Sequence, residues 1–395
     1  MRFLAAFDKF KDALAAGEVC SLARQTLDNC LPGVVVTETP LTDGGEGFCE
    51  ILTNACGGRF SKYVVRGPLG APVEARAGFV SADKLSSEVR ELAEFPPRGE
   101  IALVEMASAA GFEQVPLGLR DPWSASTFGV GELLRHVTNE GATAILLGIG
   151  GSATNDLGLG ALHSLGLRFL DVQGTEVGNP CPAAWSRIFA IAGELPALPP
   201  LLIACDVKNP LLGSNGATVT YGPQKGLAAE DLDRMDEEAG RVARLLLKKF
   251  GVSEDLLYEP GSGAAGGTGF GLRVACEGCF VRGFPLVAAW LGLREKILET
   301  EIVLTGEGHF DSTSLDGKGP GMVLEEAVRL GRVAFLLAGS LEEEVARATE
   351  NRFPGVRVLS VSHPGLTLEE NLGRSREFFE QSLRKLVEEE GWTMQ

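Results

Sequence analysis

Three segments of the sequence place acidic and basic side chains directly after an apolar, strand-like run. These side chains are Asp8 with Lys9 and Lys11, Asp43 with Glu46, and Glu307 with Asp311 and Lys318. Phosphoryl transfer needs such a set, because one carboxylate takes the proton of the acceptor hydroxyl, others hold Mg²⁺, and lysines offset the charge of the transferred group. A helix N-cap is the structural alternative for any one acid, but three loops from the same sheet edge favour a catalytic role.

A glycine-rich loop follows another strand-like run, Thr143–Leu147. The loop residues that we expect to bind phosphate are Gly148, Gly150, Gly151, Ser152, Ala153 and Thr154. Where a strand passes through such a loop into a helix, unpaired backbone N–H groups and the helix dipole converge on one point and favour an anion. The sequence contains no G-x-x-x-x-G-K-[ST] motif, which excludes a P-loop. A tight turn that requires glycine remains the alternative interpretation.

A second glycine-rich stretch, Gly261–Gly266, satisfies the pattern G-x-G-x-x-G. A dinucleotide-binding loop needs a buried strand before it, and the preceding residues 255–260 do not form a strand-like run. We therefore expect Gly263 and Gly266 to let the backbone approach a nucleotide, with a domain hinge or simple turns as alternatives. Asp206 ends a strand-like run of its own and is a further candidate metal ligand, with a helix cap as its structural alternative.

The cysteine and histidine pattern offers no separate catalytic or metal centre. The eight cysteines are irregularly spaced, and the lone C-x-x-C at Cys276–Cys279 lacks the two further ligands of a structural zinc site. His309 is the one histidine inside a candidate catalytic loop and stays a candidate. Ser152 lacks the G-x-S-x-G context that is typical of hydrolases.

The composition excludes several classes of function. The formal net charge is −17 without a basic stripe, so we expect no nucleic-acid partner. No apolar run reaches the length of a membrane span, and the N-terminal apolar run is too short for a signal peptide. Together with cysteines that fit reduced thiols, these features predict a cytoplasmic protein without membrane contact. The sequence leaves the oligomeric state open, with a homodimer as one option.

Strand-like and helix-like segments alternate along much of the chain, as in open parallel α/β sheets. The strand-like segments include residues 2–7, 34–37, 101–106, 143–147, 201–206, 301–304, 333–337 and 356–361, and the helix-like segments include residues 13–27, 48–55, 126–139, 231–251 and 322–330. Residues 62–80 are instead typical of two strands around a turn, and residues 84–100 of a charged surface loop.

Two domains follow from this order of elements. We predict a Rossmann/flavodoxin-like parallel-sheet α/β domain made of both chain ends, residues 1–61 and 286–395. A second α/β domain with a mixed sheet, residues 62–285, is inserted in it. Each half of the first domain is too short to fold alone, which favours an insertion over a linear arrangement.

The candidate loops resemble motifs of the bacterial glycerate kinase family, both in their order along the chain and in their residues. The opening Asp8–Asp12 is similar to the family's Asp-Ser-Phe-Lys-Gly, and further similar motifs follow over nearly the whole chain. These are Asp43–Gly47, Gly151–Asp156, Cys205–Pro210, Tyr221–Gly226, Pro260–Gly267 and Thr305–Asp311. A series of motifs in the same order is far more specific than any single glycine motif.

The resemblance implies an enzyme of two α/β domains that uses ATP and Mg²⁺ to phosphorylate D-glycerate, usually at the 2-hydroxyl. The sequence departs from the family pattern at several positions. Lys9 stands where the family usually has serine, and His309 where it usually has arginine. The loss of that guanidinium removes a bidentate phosphate contact, which predicts altered substrate choice or weak activity.

Individual roles follow as hypotheses. Asp311 or Asp43 accepts the proton of the substrate, while Lys11 and Lys318 stabilise phosphate charge. The candidate ligands of Mg²⁺ are Asp8, Glu307 and Asp206. Three alternative functions stay open: a kinase for another small hydroxy acid or sugar acid, a non-catalytic nucleotide- or metabolite-binding relative, and a dinucleotide oxidoreductase.

Overall fold

The computed structural model describes residues 1–315 and 317–392. Its strands are Arg2–Phe7 (β1), Val35–Glu38 (β2), Arg59–Arg66 (β3), Pro72–Ser81 (β4), Glu100–Glu105 (β5), Ala144–Gly148 (β6), Arg168–Leu170 (β7), Ala190–Ala192 (β8), Leu201–Ala204 (β9), Cys279–Val281 (β10), Ile302–Gly306 (β11), His309–Phe310 (β12), Val333–Ala338 (β13), Ser340–Leu341 (β14) and Arg357–Ser360 (β15). Its α-helices are Ala16–Cys30 (α1), Phe48–Ala55 (α2), Ser87–Ala93 (α3), Ala107–Ala110 (α4), Phe128–Asn139 (α5), Leu159–Leu165 (α6), Ala217–Tyr221 (α7), Leu232–Phe250 (α8), Ala264–Cys276 (α9), Gly283–Trp290 (α10), Leu293–Leu298 (α11), Gly319–Arg329 (α12), Glu343–Arg352 (α13), Leu368–Gly373 (α14) and Ser375–Glu389 (α15).

The chain divides into two compact units. Both chain ends, Met1–Asp43 and Val287–Gln395, form the terminal domain, and Gly44–Leu286 form the inserted domain. The predicted fold class, a parallel-sheet α/β domain from both ends with a second α/β domain inserted, is confirmed.

A five-stranded parallel sheet forms the centre of the terminal domain, in the order β15-β13-β11-β1-β2. Phe3, Ala5 and Phe7 of β1 share a hydrophobic core with residues of α1 and α15. Phe7 meets Phe379 of α15 edge to face, with ring centroids 5.4 Å apart. Because the strands are parallel, their carboxyl ends lie at one edge, where open α/β sheets bind ligands.

A six-stranded mixed sheet forms the centre of the inserted domain, in the order β10-β9-β6-β5-β4-β3. The strands β10, β9, β6 and β5 are parallel, whereas β4 and β3 form an antiparallel hairpin. Every residue of β6 and of β9 is buried, which explains their continuous apolar sequence. The four parallel strands bring their carboxyl ends, and the loops that follow them, to a second sheet edge.

The first domain junction lies earlier than predicted. The terminal domain ends its first segment at Asp43 instead of residue 61. The helix α2 packs against β4 and β5, and β3 pairs with β4, so both elements belong to the inserted domain. A change in sequence pattern does not mark the junction, because it depends on which sheet α2 and β3 pack against.

Two further segments differ from the sequence prediction. Residues 84–100 were expected to form a surface loop, but they contain the helix α3, whose N-cap Ser86 accepts a hydrogen bond from the backbone N–H of Val89 at 3.2 Å. The glycine-dense stretch leads into α9, and Ala265, Gly266 and Gly267 have left-handed backbone conformations there. Low intrinsic helix propensity hides such a helix from sequence analysis.

The longest α-helix, α8, is amphipathic. It buries one face, which includes Met235, Val242 and Leu246, in the core of the inserted domain and leaves charged side chains on the other face. Within the described part of the chain, none of the helices combines the length and the apolar character that crossing a bilayer requires.

Candidate active site

Two predicted acids lie side by side at the carboxyl edge of the terminal domain's sheet. Phe7 and Gly306 form the last residue pair of β1 and β11, and Asp8 and Glu307 directly follow the ends of these two strands. The backbone N–H of Asp8 donates to the carbonyl of Gly306 at 2.9 Å, which fixes this approach. Asp8 is only 6% exposed. The sheet therefore holds two carboxyl groups in a largely buried position.

Burial changes the acidity of both groups. Burial, with the negative charge of Asp43 adding to it, raises the pKa of Asp8 from 3.8 to about 7. Burial also raises the pKa of Glu307 from 4.5 to about 7, with Ser314 opposing and the negative charge of Asp8 adding to the rise. The negative charge of Asp43 thus disfavours the ionised form of both carboxyl groups, and an added positive charge beside them would be stabilised.

Two lysines, the predicted Lys318 and the neighbouring Lys9, partly offset this negative charge. The Nζ atom of Lys9 lies 3.7 Å from the Oδ1 atom of Asp43. Lys318, the N-cap residue of α12, lowers the pKa of Asp8 and of Glu307 through its positive charge. The segments after β1, β2 and β11 therefore interact in the terminal domain, as the sequence predicts for Asp8, Asp43, Glu307 and Lys318.

Lys11 is exposed, and its backbone lies close to the loop that follows β11. A Cβ atom on Gly308 would come within 2.7 Å of the backbone nitrogen of Lys11. The backbones of the loop after β1 and the loop after β11 therefore lie so close together that only glycine, which has no side chain, fits at position 308.

Asp311 is held by its own loop. Its Oδ1 atom accepts a hydrogen bond from the backbone N–H of Ser314 at 3.1 Å, as at a helix cap. The Nε2 atom of His309 lies 3.9 Å from the Oδ2 atom of Asp311, and the Nδ1 atom of His309 lies 2.6 Å from the hydroxyl of Ser340. Ser340 was not predicted, and it joins the site because β14 pairs with β12.

The acids of the terminal domain suit a divalent cation in part. The Oε1 atom of Glu307 is buried and has no hydrogen-bond partner among the described residues. Mg²⁺ is commonly held by one or two carboxylates together with water and substrate phosphates. Within residues 1–315 and 317–392, no group of three or more His, Cys, Asp or Glu side chains is arranged to hold a metal ion. The donor set therefore fits a magnesium ion that a nucleotide brings, but not a metal site built from protein ligands alone.

The glycine-rich loop of the inserted domain follows β6 and packs tightly against residues 44–48. The backbone N–H of Gly150 donates to the carbonyl of Gly44 at 3.0 Å. A Cβ atom at Gly150 would meet the backbone of Gly45 at 2.7 Å, and one at Gly148 would meet the Gly44 carbonyl at 2.5 Å. Glycine at positions 148 and 150 thus serves close backbone packing, which is the structural alternative for these two predicted residues.

The helix after this loop does not present an open N-terminus. The carboxylate of Asp156 accepts hydrogen bonds from the backbone N–H groups of Gly158 at 3.1 Å and Gly160 at 3.2 Å, at the start of α6. It also accepts from the backbone N–H and the hydroxyl of Thr127, at 2.8 and 2.9 Å. Any anion at residues 148–154 would therefore rely on the loop itself and not on this helix dipole.

Polar atoms without partners remain in the same region of the inserted domain. The hydroxyl of Thr154, the Oδ1 atom of Asn155 and the hydroxyl of Ser262 are buried and lack a hydrogen-bond partner among the described residues. Buried polar groups are nearly always satisfied, by water or a ligand where protein groups do not suffice. Ser152, which is 6% exposed, is the predicted loop residue that a side-chain contact fixes, since its hydroxyl accepts a hydrogen bond from Lys225.

Lys225 is the functional candidate that the sequence analysis missed. It is 2% exposed, and nothing in its spacing distinguishes it from a surface lysine. The only signal was its place in the family-like motif Tyr221–Gly226.

The remaining predicted residues of the inserted domain have structural contacts. The Oδ2 atom of Asp206 accepts a hydrogen bond from the backbone N–H of Phe284 at 2.7 Å, in the first turn of α10, which supports the helix-cap alternative. A Cβ atom at Gly263 would meet the carbonyl of Pro210 at 2.2 Å, and one at Gly266 the carbonyl of Thr154 at 2.3 Å. A 3₁₀ helix, Glu254–Leu257, precedes this stretch, so a dinucleotide-type strand is absent from these described residues, as expected.

Comparison with known proteins gives a consistent result. A model of the glycerate kinase family matches residues 3–389. The chain is 36% identical over 348 residues to a glycerate 2-kinase of Escherichia coli strain K12, covering 87% of each chain. It is 33% identical over 394 residues to a glycerate kinase of Bacillus subtilis strain 168, covering 98% of this chain and 97% of the relative.

A solved structure extends this similarity to the fold. The structure, from Salmonella typhimurium LT2, carries the provisional name glycerate kinase 2 and is 34% identical in sequence. It superimposes with a TM-score of 0.73 over 98% of this chain and 97% of that chain. Because the match of the family model spans nearly the whole sequence, this chain belongs to the glycerate kinase family.

Proposed function

We propose that this protein transfers the γ-phosphoryl group of ATP to the 2-hydroxyl of D-glycerate and so forms 2-phosphoglycerate. Relatives named glycerate kinase and glycerate 2-kinase support the substrate and the position. The observation that carries the proposal is the buried pair Asp8 and Glu307. The positive charge of Lys318 lowers the pKa of both carboxyl groups. Phosphoryl transfer depends chiefly on such positioned charge, because the protein has little covalent chemistry to perform.

Asp8 and Glu307 are the residues that we assign to Mg²⁺. A bound magnesium ion supplies positive charge to the phosphate oxygens, on which negative charge accumulates during transfer. Both carboxyl groups have pKa values raised to about 7, so their ionisation and the binding of a cation favour each other. Asp206 is the weaker candidate, because its carboxylate already caps α10.

We assign the general base to Asp311. Its Oδ1 atom is engaged by the backbone N–H of Ser314, which orients the side chain. Asp43, the other candidate base, lies 3.7 Å from the ammonium of Lys9, so its carboxylate already has a charged partner. Lys318 and Lys11 would then stabilise the charge of the transferred group.

The loop of residues 148–154 is the proposed contact for the phosphates of ATP. The buried hydroxyl of Thr154, without a partner among the described residues, supports a polar ligand there. Close packing of Gly148 and Gly150 against residues 44–48 gives the loop a rigid base. Gly263 and Gly266 would contribute by allowing the backbone of their own segment to lie close to this loop. The backbone of Gly266 packs against Thr154.

The cellular setting is part of the proposal. All eight cysteines are free thiols, which supports a reducing, cytoplasmic location. A homodimer is a further proposal that size-exclusion chromatography with light scattering would test.

An ATP-coupled assay with D-glycerate tests the assigned roles. We expect Asp311→Asn and Lys318→Ala each to lower kcat by about 10²–10⁴-fold, the usual range for a general base or a transition-state charge. Lys385→Ala, at an exposed lysine of α15, is the matched control and should leave turnover unchanged. Unchanged turnover in either active-site variant would remove that residue from the mechanism.

A further inference from the structure

Lys225 is buried in the inserted domain with two neutral partners. It ends the 3₁₀ helix Pro223–Lys225, and its Nζ atom donates to the hydroxyl of Ser152 at 3.1 Å and to the carbonyl of Thr154 at 2.6 Å. No carboxylate lies within salt-bridge distance of it among the described residues. Both partners belong to the loop of residues 148–154, and the lysine is more than 70 residues away in sequence.

Burying an ammonium group costs free energy, and partners without charge offset this cost only in part. Burial lowers the pKa of Lys225 to about 7, and the negative charge of Asp156 opposes this only in part. Asp156 is itself engaged by four hydrogen bonds from Thr127, Gly158 and Gly160. An apolar side chain of similar length would avoid the cost of desolvation, so what the lysine adds is two directed hydrogen bonds to one loop.

Ordering this loop costs conformational entropy, because three of its residues are glycine. Gly148, Gly150 and Gly151 lose more conformational entropy on ordering than other residues would, and Gly151 has a φ of 69°. Lys225 grips the loop on both sides of Ala153, through the side chain of Ser152 and the backbone of Thr154. Two anchor points that flank one residue fix the direction of the intervening backbone.

We propose that Lys225 is a positioning residue that holds residues 152–154 in the conformation that binds the phosphates of ATP. This inference rests on the proposed function of the loop as the phosphate contact. Lys225 reaches the nucleotide through the loop and is not itself assigned to the reacting atoms. Its loss should therefore weaken nucleotide binding more than it slows the chemical step.

The test compares Lys225→Met with the unaltered enzyme by calorimetry with MgADP and by steady-state kinetics. Lys225→Met keeps the length of the apolar stem and removes both hydrogen bonds. We expect Kd for MgADP and KM for ATP to rise by about tenfold or more, as two lost hydrogen bonds imply, while KM for D-glycerate changes less than about twofold. Lys296→Met is the matched control, because Lys296 is another largely buried lysine, in α11 of the terminal domain, and should change neither constant.

Ser152→Ala is the second variant, in case Lys225→Met does not fold. It removes one of the two acceptors and keeps the buried amine, so we expect a smaller rise in Kd for MgADP, about threefold. A folded Lys225→Met protein, or a Ser152→Ala protein, with unchanged affinity for MgADP would overturn the inference. If the unaltered protein bound no MgADP, the proposed function would fail instead, independently of Lys225.

Discussion

Asp8 and Glu307 are acids whose burial disfavours their ionised form, so a charged site at these residues costs folding stability. Both acids are predictable from the sequence because each follows an apolar strand, and the structure places them directly after two paired strands. Their burial was not predictable from spacing, since it depends on tertiary packing around the ends of β1 and β11. The raised pKa values follow from that burial and from the negative charge of nearby acids.

The pKa of Asp8 leads to a pH-dependent stability. A carboxyl group whose pKa rises on folding, here from 3.8 to about 7, stabilises the folded chain below pH 4 and loses that contribution as the pH rises towards 7. We expect Asp8→Asn to unfold at a higher urea concentration than the unaltered protein at pH 8, by about 1–3 kcal/mol in unfolding free energy, with a smaller gain at pH 5. The measurement is made with a chelator present.

Asp28→Asn provides the control for this prediction. Asp28 is an exposed partner of Arg24 on α1, so its loss should change stability little and equally at both pH values. An Asp8→Asn protein that is less stable than the unaltered chain at pH 8 would show that the carboxylate is stabilised by its lysines more than it is penalised by burial.

At the level of elements, local patterns predicted most strands but not the contacts between distant loops. The runs that became β1, β6 and β11 are mainly apolar, and their bounds agree closely with prediction. The sequence places Asp156 in a motif but does not reveal its hydrogen bonds, because one partner, Thr127, lies 29 residues earlier in the chain. The helix α9 was missed because tertiary packing, not propensity, stabilises its glycine-rich start.

Gly150 gives a test of this loop-against-loop packing. Gly150→Ala would place a Cβ atom 2.7 Å from the backbone of Gly45, so one loop must move. We expect a loss of about 1–3 kcal/mol in unfolding free energy, as for overpacked sites. Equilibrium unfolding in urea measures it.

Gly17→Ala is the matched substitution in an open position. Gly17 lies in the first turn of α1, and an added Cβ atom would meet nothing within 4 Å. Alanine there should be neutral or stabilise the chain by up to about 1 kcal/mol, because it lowers the entropy of the unfolded state. Equal effects of the two substitutions would contradict the proposed packing of residues 148–154 against residues 44–48.

For the whole molecule, two α/β domains with separate sheets carry different parts of the proposed chemistry. The terminal domain holds the acids and Lys318, whereas the inserted domain holds the glycine-rich loop and Lys225. The fold class and the family were predictable from the order of motifs along the chain. The first domain junction was not, because it depends on which sheet the helix α2 packs against.

Phosphorus NMR of the product formed from ATP, Mg²⁺ and D-glycerate tests the central claim most directly. A phosphate on the 2-hydroxyl couples to a single carbon-bound proton and gives a doublet, whereas a phosphate on the 3-hydroxyl couples to two and gives a triplet. The account predicts a new phosphomonoester doublet together with ADP. A triplet would contradict transfer to the 2-hydroxyl, and the absence of any phosphomonoester, with turnover on another hydroxy acid or on none, would contradict D-glycerate as the substrate.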